Sequence, residues 1–178
     1  MDVHLYSSRS ASGTHGSLAP IRVLLVCLGN ICRSPTAEAA LREALAEAGL
    51  DGQVEVDSAG TGDWHVGDPP DRRMTAAAAE MGLRLSGRAR RIQRDDFQKS
   101  DLILVMDRQN LRDVLALAPS PEARAKVRLF REFDPDADGL EVPDPYCGGP
   151  DERRRVVEIA RASARGLVRC LQQQEQLA

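Results

Sequence analysis

The sequence predicts an α/β protein, a single domain with an open, parallel four-stranded sheet and helices on both faces. Three observations predict this fold: short apolar runs alternate with helical patterns, glycine or proline separates several of them, and no segment repeats another. Strands that alternate with helices form parallel sheets, because each right-handed crossover returns the chain in the same direction. The carboxyl ends of the strands then meet at one edge, where such sheets bind ligands.

The four strands are predicted from short apolar runs. Residues 21–26 are apolar except for Arg22, and residues 102–106 are wholly apolar, as expected of strands buried on both faces. Residues 54–57 alternate between valine and acidic side chains, and residues 127–130 are predicted to form a shorter fourth strand.

The helices are predicted from apolar residues at intervals of three and four. The first helix has Ser34 as its expected N-cap and Pro35 at its first position, and Gly49 ends it. Further helices are predicted at 71–81, at 95–99, after Asp107 through residue 117, and from about 151 onwards.

Composition and charge argue against membranes and nucleic acids as binding partners. Residues 1–20 are predicted to form a disordered leader before a folded domain at 21–178, because they are small, polar and without periodicity. No apolar run approaches the length of a membrane span, so no membrane partner is expected. A net charge of −3 and only 3% aromatic residues argue against nucleic acid as a partner.

The use of cysteine indicates the compartment. Without a secretory signal, a disulfide framework is not expected, and the reducing cytoplasm is the expected location. The spacing of the four cysteines is too wide for a zinc site built from all of them, so no metal is expected. They are Cys27, Cys32, Cys147 and Cys170.

The segment 27–35, Cys-Leu-Gly-Asn-Ile-Cys-Arg-Ser-Pro, lies between the end of the first strand and the start of the first helix. Backbone N–H groups in such a loop, together with the positive end of the helix dipole, favour a bound anion. Only the thiolate of cysteine is a good nucleophile, and these surroundings favour it at Cys27. Arg33 offers a planar fork that fits two phosphoryl oxygens. The segment therefore predicts a phosphate-binding loop with a nucleophile at its base.

Other residues of this loop have supporting roles. Gly29 permits close approach of the backbone to a ligand, and Asn30 tolerates the left-handed conformation that a tight loop needs. The Ser34 hydroxyl can donate a hydrogen bond to the Cys27 sulfur. The alternative is a buried structural cysteine with an arginine nearby by chance. The predicted phosphate-binding residues are Leu28, Gly29, Asn30, Ile31, Cys32 and Arg33.

Asp144 is the candidate proton donor. A thiolate that attacks phosphorus forms a cysteinyl-phosphate, and the departing oxygen then needs a proton. Pro143 and Pro145 restrict the backbone on both sides of Asp144, so a stiff loop can hold its carboxyl at a set distance. The alternative is an ordinary acidic turn, since Asp-Pro pairs are common in turns.

Segment 26–39 and three later segments resemble the low-molecular-weight protein tyrosine phosphatases. The later segments are 57–60 (Asp-Ser-Ala-Gly), 105–112 (Val-Met-Asp, then Asn-Leu-Arg) and 143–146 (Pro-Asp-Pro-Tyr). They occur in the order of the family, and the resemblance extends over about 21–171. It implies a phosphatase domain at 21–178 that hydrolyses phosphotyrosine in protein substrates without a cofactor. A monomer is expected, although the sequence leaves the oligomeric state open.

The resemblance also implies roles for individual residues. Cys27 is the nucleophile, and Arg33 binds the phosphoryl group and stabilises its transition state. Asp144 protonates the leaving group and then assists the water that hydrolyses the phosphocysteine. The positions that support the loop and the site are matched by Asn30, Ser34, Ser58 and Asp107.

The rim of the site is expected to select the substrate. Trp64, His65 and Tyr146 are the predicted rim residues. A deep slot with aromatic walls admits a flat phenyl phosphate and holds a shorter phosphoserine too far from the sulfur. The alternatives are that Trp64 belongs to the core and that His65 is an ordinary surface residue.

Two positions depart from the family. Many members have a second tyrosine where this chain has Cys147, and some have a histidine in the loop network where this chain has Ser86 and Gly87. Cys32 is a predicted redox residue, because a thiol this close to Cys27 in a curled loop can form a reversible disulfide. The alternative is a packing cysteine without redox function.

Three other functions remain open at this point. An arsenate reductase of the same fold needs a pair of relay cysteines, whereas residues 105–109 read Val-Met-Asp-Arg-Gln. Protein-arginine phosphatases of this fold favour threonine where this chain has Ile31. A phosphocarrier module of a sugar transporter also uses a cysteine at a strand end, but needs neither Arg33 nor Asp144.

Overall fold

The computed structural model describes residues 19–175, with side chains described through residue 173. Residues 1–18 of the expected leader lie outside the described residues, so the leader and the domain boundary at residue 21 stay predictions.

One open sheet of four parallel strands forms the centre of the molecule. The strands are β1 (Ile21–Cys27), β2 (Val54–Gly60), β3 (Leu102–Val105) and β4 (Val127–Leu129), in the order β2-β1-β3-β4. The predicted fold class is thereby confirmed. β2 continues beyond its predicted end at residue 57, because its pairing with β1 extends to Gly60 opposite Cys27.

Helices cover both faces of this sheet. They are α1 (Arg33–Glu47), α2 (Arg72–Glu80), α3 (Asp96–Lys99), α4 (Arg108–Leu117), α5 (Pro121–Ala125) and α6 (Pro150–Glu175). α1, α2 and α6 pack on the face that carries Val23 and Leu25, and α3, α4 and α5 pack on the face that carries Leu24 and Val26. The central strand β1, buried on both faces, therefore delivers Cys27 to the carboxyl edge of the sheet. Within residues 19–175, no helix has both the length and the apolar character needed to cross a membrane.

The start of α1 differs from the prediction. The helix begins at Arg33, with Cys32 at the N-cap position, so the expected N-cap role of Ser34 is wrong. The Ser34 hydroxyl lies instead beside the Cys27 sulfur and the Asn30 amide. The serine before Pro35 is typical of a helix N-cap, but here its hydroxyl is engaged by the loop and does not cap the helix.

Two short elements are absent from the sequence predictions. They are α5 and a 3-10 helix at Phe130–Phe133, each close to a single turn in length and without an apolar repeat. α5 does carry a local signal, because the Ser120 hydroxyl accepts the Ala123 N–H and Pro121 occupies the first turn. The 3-10 helix begins at Phe130, which is why β4 ends one residue earlier than predicted.

α6 approaches the 3-10 helix so closely at Gly166 that a side chain has no room. A Cβ at this position would lie 1.7 Å from the carbonyl oxygen of Phe133. We predict that Gly166→Ala lowers the free energy of unfolding by about 1–3 kcal/mol, because overpacking exceeds the gain in helix propensity. Urea unfolding would then show a lower midpoint with an unchanged slope.

Gly52→Ala is the matched control, since no atom lies within 4 Å of a Cβ added there. Its free energy of unfolding should change by less than about 0.5 kcal/mol. A Gly166→Ala protein as stable as the wild type would contradict the close packing of α6 against Phe133.

Candidate active site

The loop that connects β1 to α1 curls around the Cys27 sulfur. Cys27 is the last residue of β1 and only 3% exposed, and Arg33 is the first residue of α1. Asn30 has a φ of 54°, the positive value that the sequence predicts for this loop. Its backbone N–H donates a hydrogen bond to Cys27 Sγ at 3.3 Å.

Ser34 gives the sulfur a second polar contact. Its Oγ lies 3.0 Å from Cys27 Sγ and accepts a hydrogen bond from Asn30 Nδ2 at 2.9 Å. Since Ser34 Oγ accepts from Asn30, the hydroxyl can direct its own proton to the Cys27 sulfur or to the Ala59 carbonyl oxygen, which lies 3.3 Å away. A hydroxyl oriented in this way stabilises a thiolate.

Asn30 is held by further hydrogen bonds on the far side of the loop. Its Oδ1 accepts the Arg90 N–H at 2.9 Å, and its Nδ2 also donates to Ser58 Oγ at 2.9 Å. Ser58 in turn donates to Glu38 Oε2 at 2.6 Å. The carboxylate of Glu38 can only accept, so it fixes the direction of the bonds through Ser58 to Asn30.

Glu38 is absent from the predicted site residues. The available signal is its place in α1, four positions after Ser34 and hence on the same helix face. Glu38 and Ser58 border a small polar cavity together with Ser86 and Gly87, the positions where some family members have a histidine. In this chain Glu38 contacts Ser58 directly and supplies the anchor at that end of the network.

The Arg33 guanidinium is buried and binds three groups from distant segments. Nη1 donates to Asp107 Oδ2 at 2.5 Å and to the Val142 carbonyl at 3.3 Å, and Nη2 donates to Asp144 Oδ2 at 2.8 Å. Burial alone would lower the pKa of Arg33, but the charges of Cys27, Asp144 and Asp107 outweigh it and raise that pKa above its usual value. Arg33 is therefore a permanent cation beside the sulfur.

Cys32 differs from Cys27 in its surroundings. Burial, followed by the negative charges of Asp71 and Cys27, raises the pKa of Cys32 to about 12. Cys32 is consequently a neutral thiol at physiological pH, a poor nucleophile that lies in the wall of the site.

A slot of about 180 Å³ opens above the sulfur. Pockets for drug-sized ligands are larger, about 300–1,000 Å³, so this one suits a single small group. Its lining brings together the predicted catalytic and rim residues: Cys27, Leu28, Gly29, Ile31, Cys32, Arg33, Trp64, His65, Asp144 and Tyr146. Outside this lining are the residues predicted to support the loop: Asn30, Ser34, Ser58 and Asp107.

Tyr146 in the rim of the slot contacts two side chains, each of which contacts an aspartate. Tyr146 lies between His65, at 6.5 Å between ring centroids, and Arg73, whose guanidinium carbon is 5.3 Å from the tyrosine ring. His65 Nδ1 lies 3.1 Å from Asp68 Oδ2, and Arg73 Nη2 lies 3.1 Å from Asp71 Oδ2. The cation–π contact, the Arg73–Asp71 ion pair and the polar contact of His65 with Asp68 together hold the Tyr146 wall of the slot.

Trp64 is 72% exposed, so the alternative of a core tryptophan is wrong. Its indole packs over the backbone of Gly62, where an added Cβ would lie 1.8 Å from Cζ3 of the ring. The Trp64 indole can therefore occupy this position only because residue 62 has no side chain.

We predict that Gly62→Ala displaces the Trp64 indole. Trp64 is the single tryptophan of the chain, so a change in its emission maximum and in quenching by acrylamide would report the displacement directly. KM for an aryl phosphate should rise several-fold with a smaller change in kcat, because the ring wall positions the substrate without joining the chemistry. Unaltered emission would contradict the contact, and Gly52→Ala again serves as the control.

Comparisons with known proteins identify relatives of this chain. A family model described as "Low molecular weight phosphotyrosine protein phosphatase" matches residues 22–177. A low molecular weight protein-tyrosine-phosphatase of Streptomyces coelicolor is 45% identical over 155 residues, which cover 86% of this chain and 94% of that protein. YfkJ of Bacillus subtilis, of the same description, is 37% identical over 158 residues, with 88% and 99% covered.

Solved structures give the same result. A protein tyrosine phosphatase from Entamoeba histolytica, crystallised with Hepes in its active site, superposes with a TM-score of 0.84 at 33% identity, covering 87% of this chain and 99% of that one. The crystal structure of YfkJ has a TM-score of 0.81 at 34% identity, with 89% and 99% covered. The chain therefore belongs to the low molecular weight protein-tyrosine-phosphatase family and is an enzyme of the phosphoric monoester hydrolase class.

Proposed function

We propose that this chain hydrolyses phosphotyrosine in proteins through a cysteinyl-phosphate on Cys27. The observation that carries the proposal is the convergence of Cys27, Arg33 and Asp144 on one small slot. We further infer that the enzyme acts as a monomer in the cytoplasm, where its four free cysteines would stay reduced.

Substrate binding is proposed to exchange the partners of Arg33. In the structure, Nη2 of Arg33 donates to Asp144 Oδ2 at 2.8 Å. A phosphoryl dianion in the loop competes for this nitrogen and accepts the backbone N–H groups of the loop as well. The exchange leaves the Asp144 carboxyl free to carry a proton to the leaving oxygen.

The reaction then proceeds in two displacements at phosphorus. The Cys27 thiolate forms the S–P bond while the P–O bond to the tyrosine breaks, and Asp144 gives its proton to the departing phenolate. Water next attacks the phosphocysteine, Asp144 accepts a proton from it, and the thiolate leaves. The Asn30 N–H and the Ser34 hydroxyl stabilise the thiolate at the start and the end of this cycle.

The shape of the slot supports phosphotyrosine as the substrate. Trp64 and Tyr146 provide walls for a phenyl ring, and the apolar side chain of Ile31 suits a ring better than the charged guanidinium of phosphoarginine. Asp144 within the slot argues against a phosphocarrier, which needs no acid for a leaving group.

The proposal predicts distinct losses for two variants. Cys27→Ser should abolish turnover. Asp144→Ala should lower kcat by about 10²–10⁴ for phenyl phosphate but far less for p-nitrophenyl phosphate, whose leaving group needs no proton. Asp136→Ala, which removes an exposed carboxylate from the same long loop, is the matched control.

Equal losses across leaving groups would remove Asp144 as the acid. Peptides with phosphotyrosine, phosphoserine or phosphoarginine test the substrate class, and faster release of phosphate from phosphoarginine would favour the arginine phosphatase. A phosphocysteine that persists in water would favour the carrier.

We also propose that Cys32 protects Cys27 during oxidation. Peroxide would convert the Cys27 thiolate to a sulfenic acid, and attack by Cys32 would form a disulfide with loss of water. Because the pKa of Cys32 is raised to about 12, its reactive thiolate fraction grows about tenfold per pH unit below that value. The rate of disulfide formation should therefore rise steeply from pH 7 to 9.

Mass spectrometry after mild peroxide treatment, with quenching at intervals, measures that rate. In Cys32→Ser, Cys27 should proceed to the sulfinic acid, and thiols should no longer restore activity. Cys170→Ser is the control at a cysteine outside the slot. Sulfinic Cys27 without a bridge in the wild type would leave Cys32 as a packing residue.

A further inference from the structure

A second cleft lies on the other side of the contact between Arg33 and Asp144. The slot and this cleft share both residues in their linings, so the Arg33–Asp144 pair separates them. The rest of the cleft is formed by the start of α4 and by the segment 141–143. No step of the proposed reaction uses this cleft.

Two arginines on α4 line the cleft. Arg108 and Arg112 are exposed and four positions apart, so their side chains leave the same face of the helix. Among the residues that the structure describes, neither guanidinium pairs with a carboxylate. Arg112 Nη2 donates to Gln109 Oε1, and Arg108 donates its backbone N–H to Glu141 Oε1.

The carboxylates of the cleft already have donors. Asp107 and Asp144 are bound by Arg33, and Glu141 Oε1 accepts the backbone N–H of Arg108 at 2.8 Å. Three guanidinium groups and three carboxylates make the cleft neutral in total. An anion would therefore be held by direct contact with the two arginine forks, not by a net field.

We propose that Arg108 and Arg112 form a subsite for an anionic side chain of the substrate, near its phosphotyrosine. This inference rests on the proposed function, and the occupant is a carboxylate or a second phosphoryl group of the same polypeptide. Because the slot and the cleft share Arg33 and Asp144, the anionic residue must be close to the phosphotyrosine in sequence. An extended chain rises about 3.3 Å per residue, so a residue two or three positions away lies about 7–10 Å along the chain.

The test compares three phosphotyrosine peptides that carry glutamate, phosphoserine or glutamine two and three residues from the phosphotyrosine, on either side. We expect kcat/KM for an anionic peptide to exceed that for the glutamine peptide by about 3–10-fold, as for a partly exposed pair of charges. The preference should disappear in Arg108→Gln/Arg112→Gln and weaken as salt is raised from 0.05 to 0.5 M. The peptide with the higher kcat/KM, glutamate or phosphoserine, identifies which anion the subsite prefers.

The matched control is Arg165→Gln/Arg169→Gln on α6. These two arginines are also exposed and four positions apart, so the pair has the same spacing and the same change in net charge. Equal rates for the anionic and neutral peptides, or an equal loss of preference in the control, would overturn the subsite. Turnover of p-nitrophenyl phosphate by the wild type separates the two claims, since its absence would remove the proposed function as well.

Discussion

The buried guanidinium of Arg33 is the interaction on which the site depends. A cation that is 3% exposed must be compensated, and its partners come from the segment after β3 and from the long loop before α6. Asp107 and Asp144 are only partly buried, and their contacts with the buried cation hold both segments beside Arg33. The same cation lines the slot together with Cys27, so until substrate binds it also sets the position of the proposed acid, Asp144, relative to the nucleophile.

The second constraint is the direction of the hydrogen bonds behind the loop. Glu38 accepts from Ser58, Ser58 accepts from Asn30, and Asn30 also donates to Ser34. Because each hydrogen bond in this chain fixes which group donates and which accepts, the hydroxyl proton of Ser34 is available to the Cys27 sulfur. A charged residue distant from the substrate therefore acts on Cys27 through orientation. The unfavourable φ of Asn30 persists because both ends of its amide are engaged.

Sequence reasoning predicts the parts of this structure that are encoded locally. The strands appear as apolar runs, and the phosphate-binding loop appears as a cysteine and an arginine in one short segment between strand and helix. Contacts between distant segments are less visible: nothing local to Glu38 shows that it reaches Ser58, twenty residues away. For Ser34 the sequence predicts two roles, and the structure shows the contact with the Cys27 sulfur and not the helix cap. At Ser34 and Glu38, local rules fail because the site imposes its own contacts.

Gly62 influences the rim of the slot because it leaves room for the Trp64 indole. The Trp64 indole is largely exposed and lies close to the backbone of Gly62, so little of its position is determined by a surrounding core. In the Tyr146 wall, Tyr146 lies two residues after Asp144 in the acid-bearing loop, and its backbone N–H donates to Asp144 Oδ1 at 3.1 Å. The segment before Trp64 is tied to the backbone of the phosphate-binding loop, since the Thr61 N–H donates to the Cys27 carbonyl and the Gly62 N–H to the Leu28 carbonyl, both at 2.9 Å. The Tyr146 wall is tied instead to the side chain of the proposed acid. Substitutions on the Trp64 side can alter substrate selection with little effect on chemistry, but substitutions on the Tyr146 side must change both.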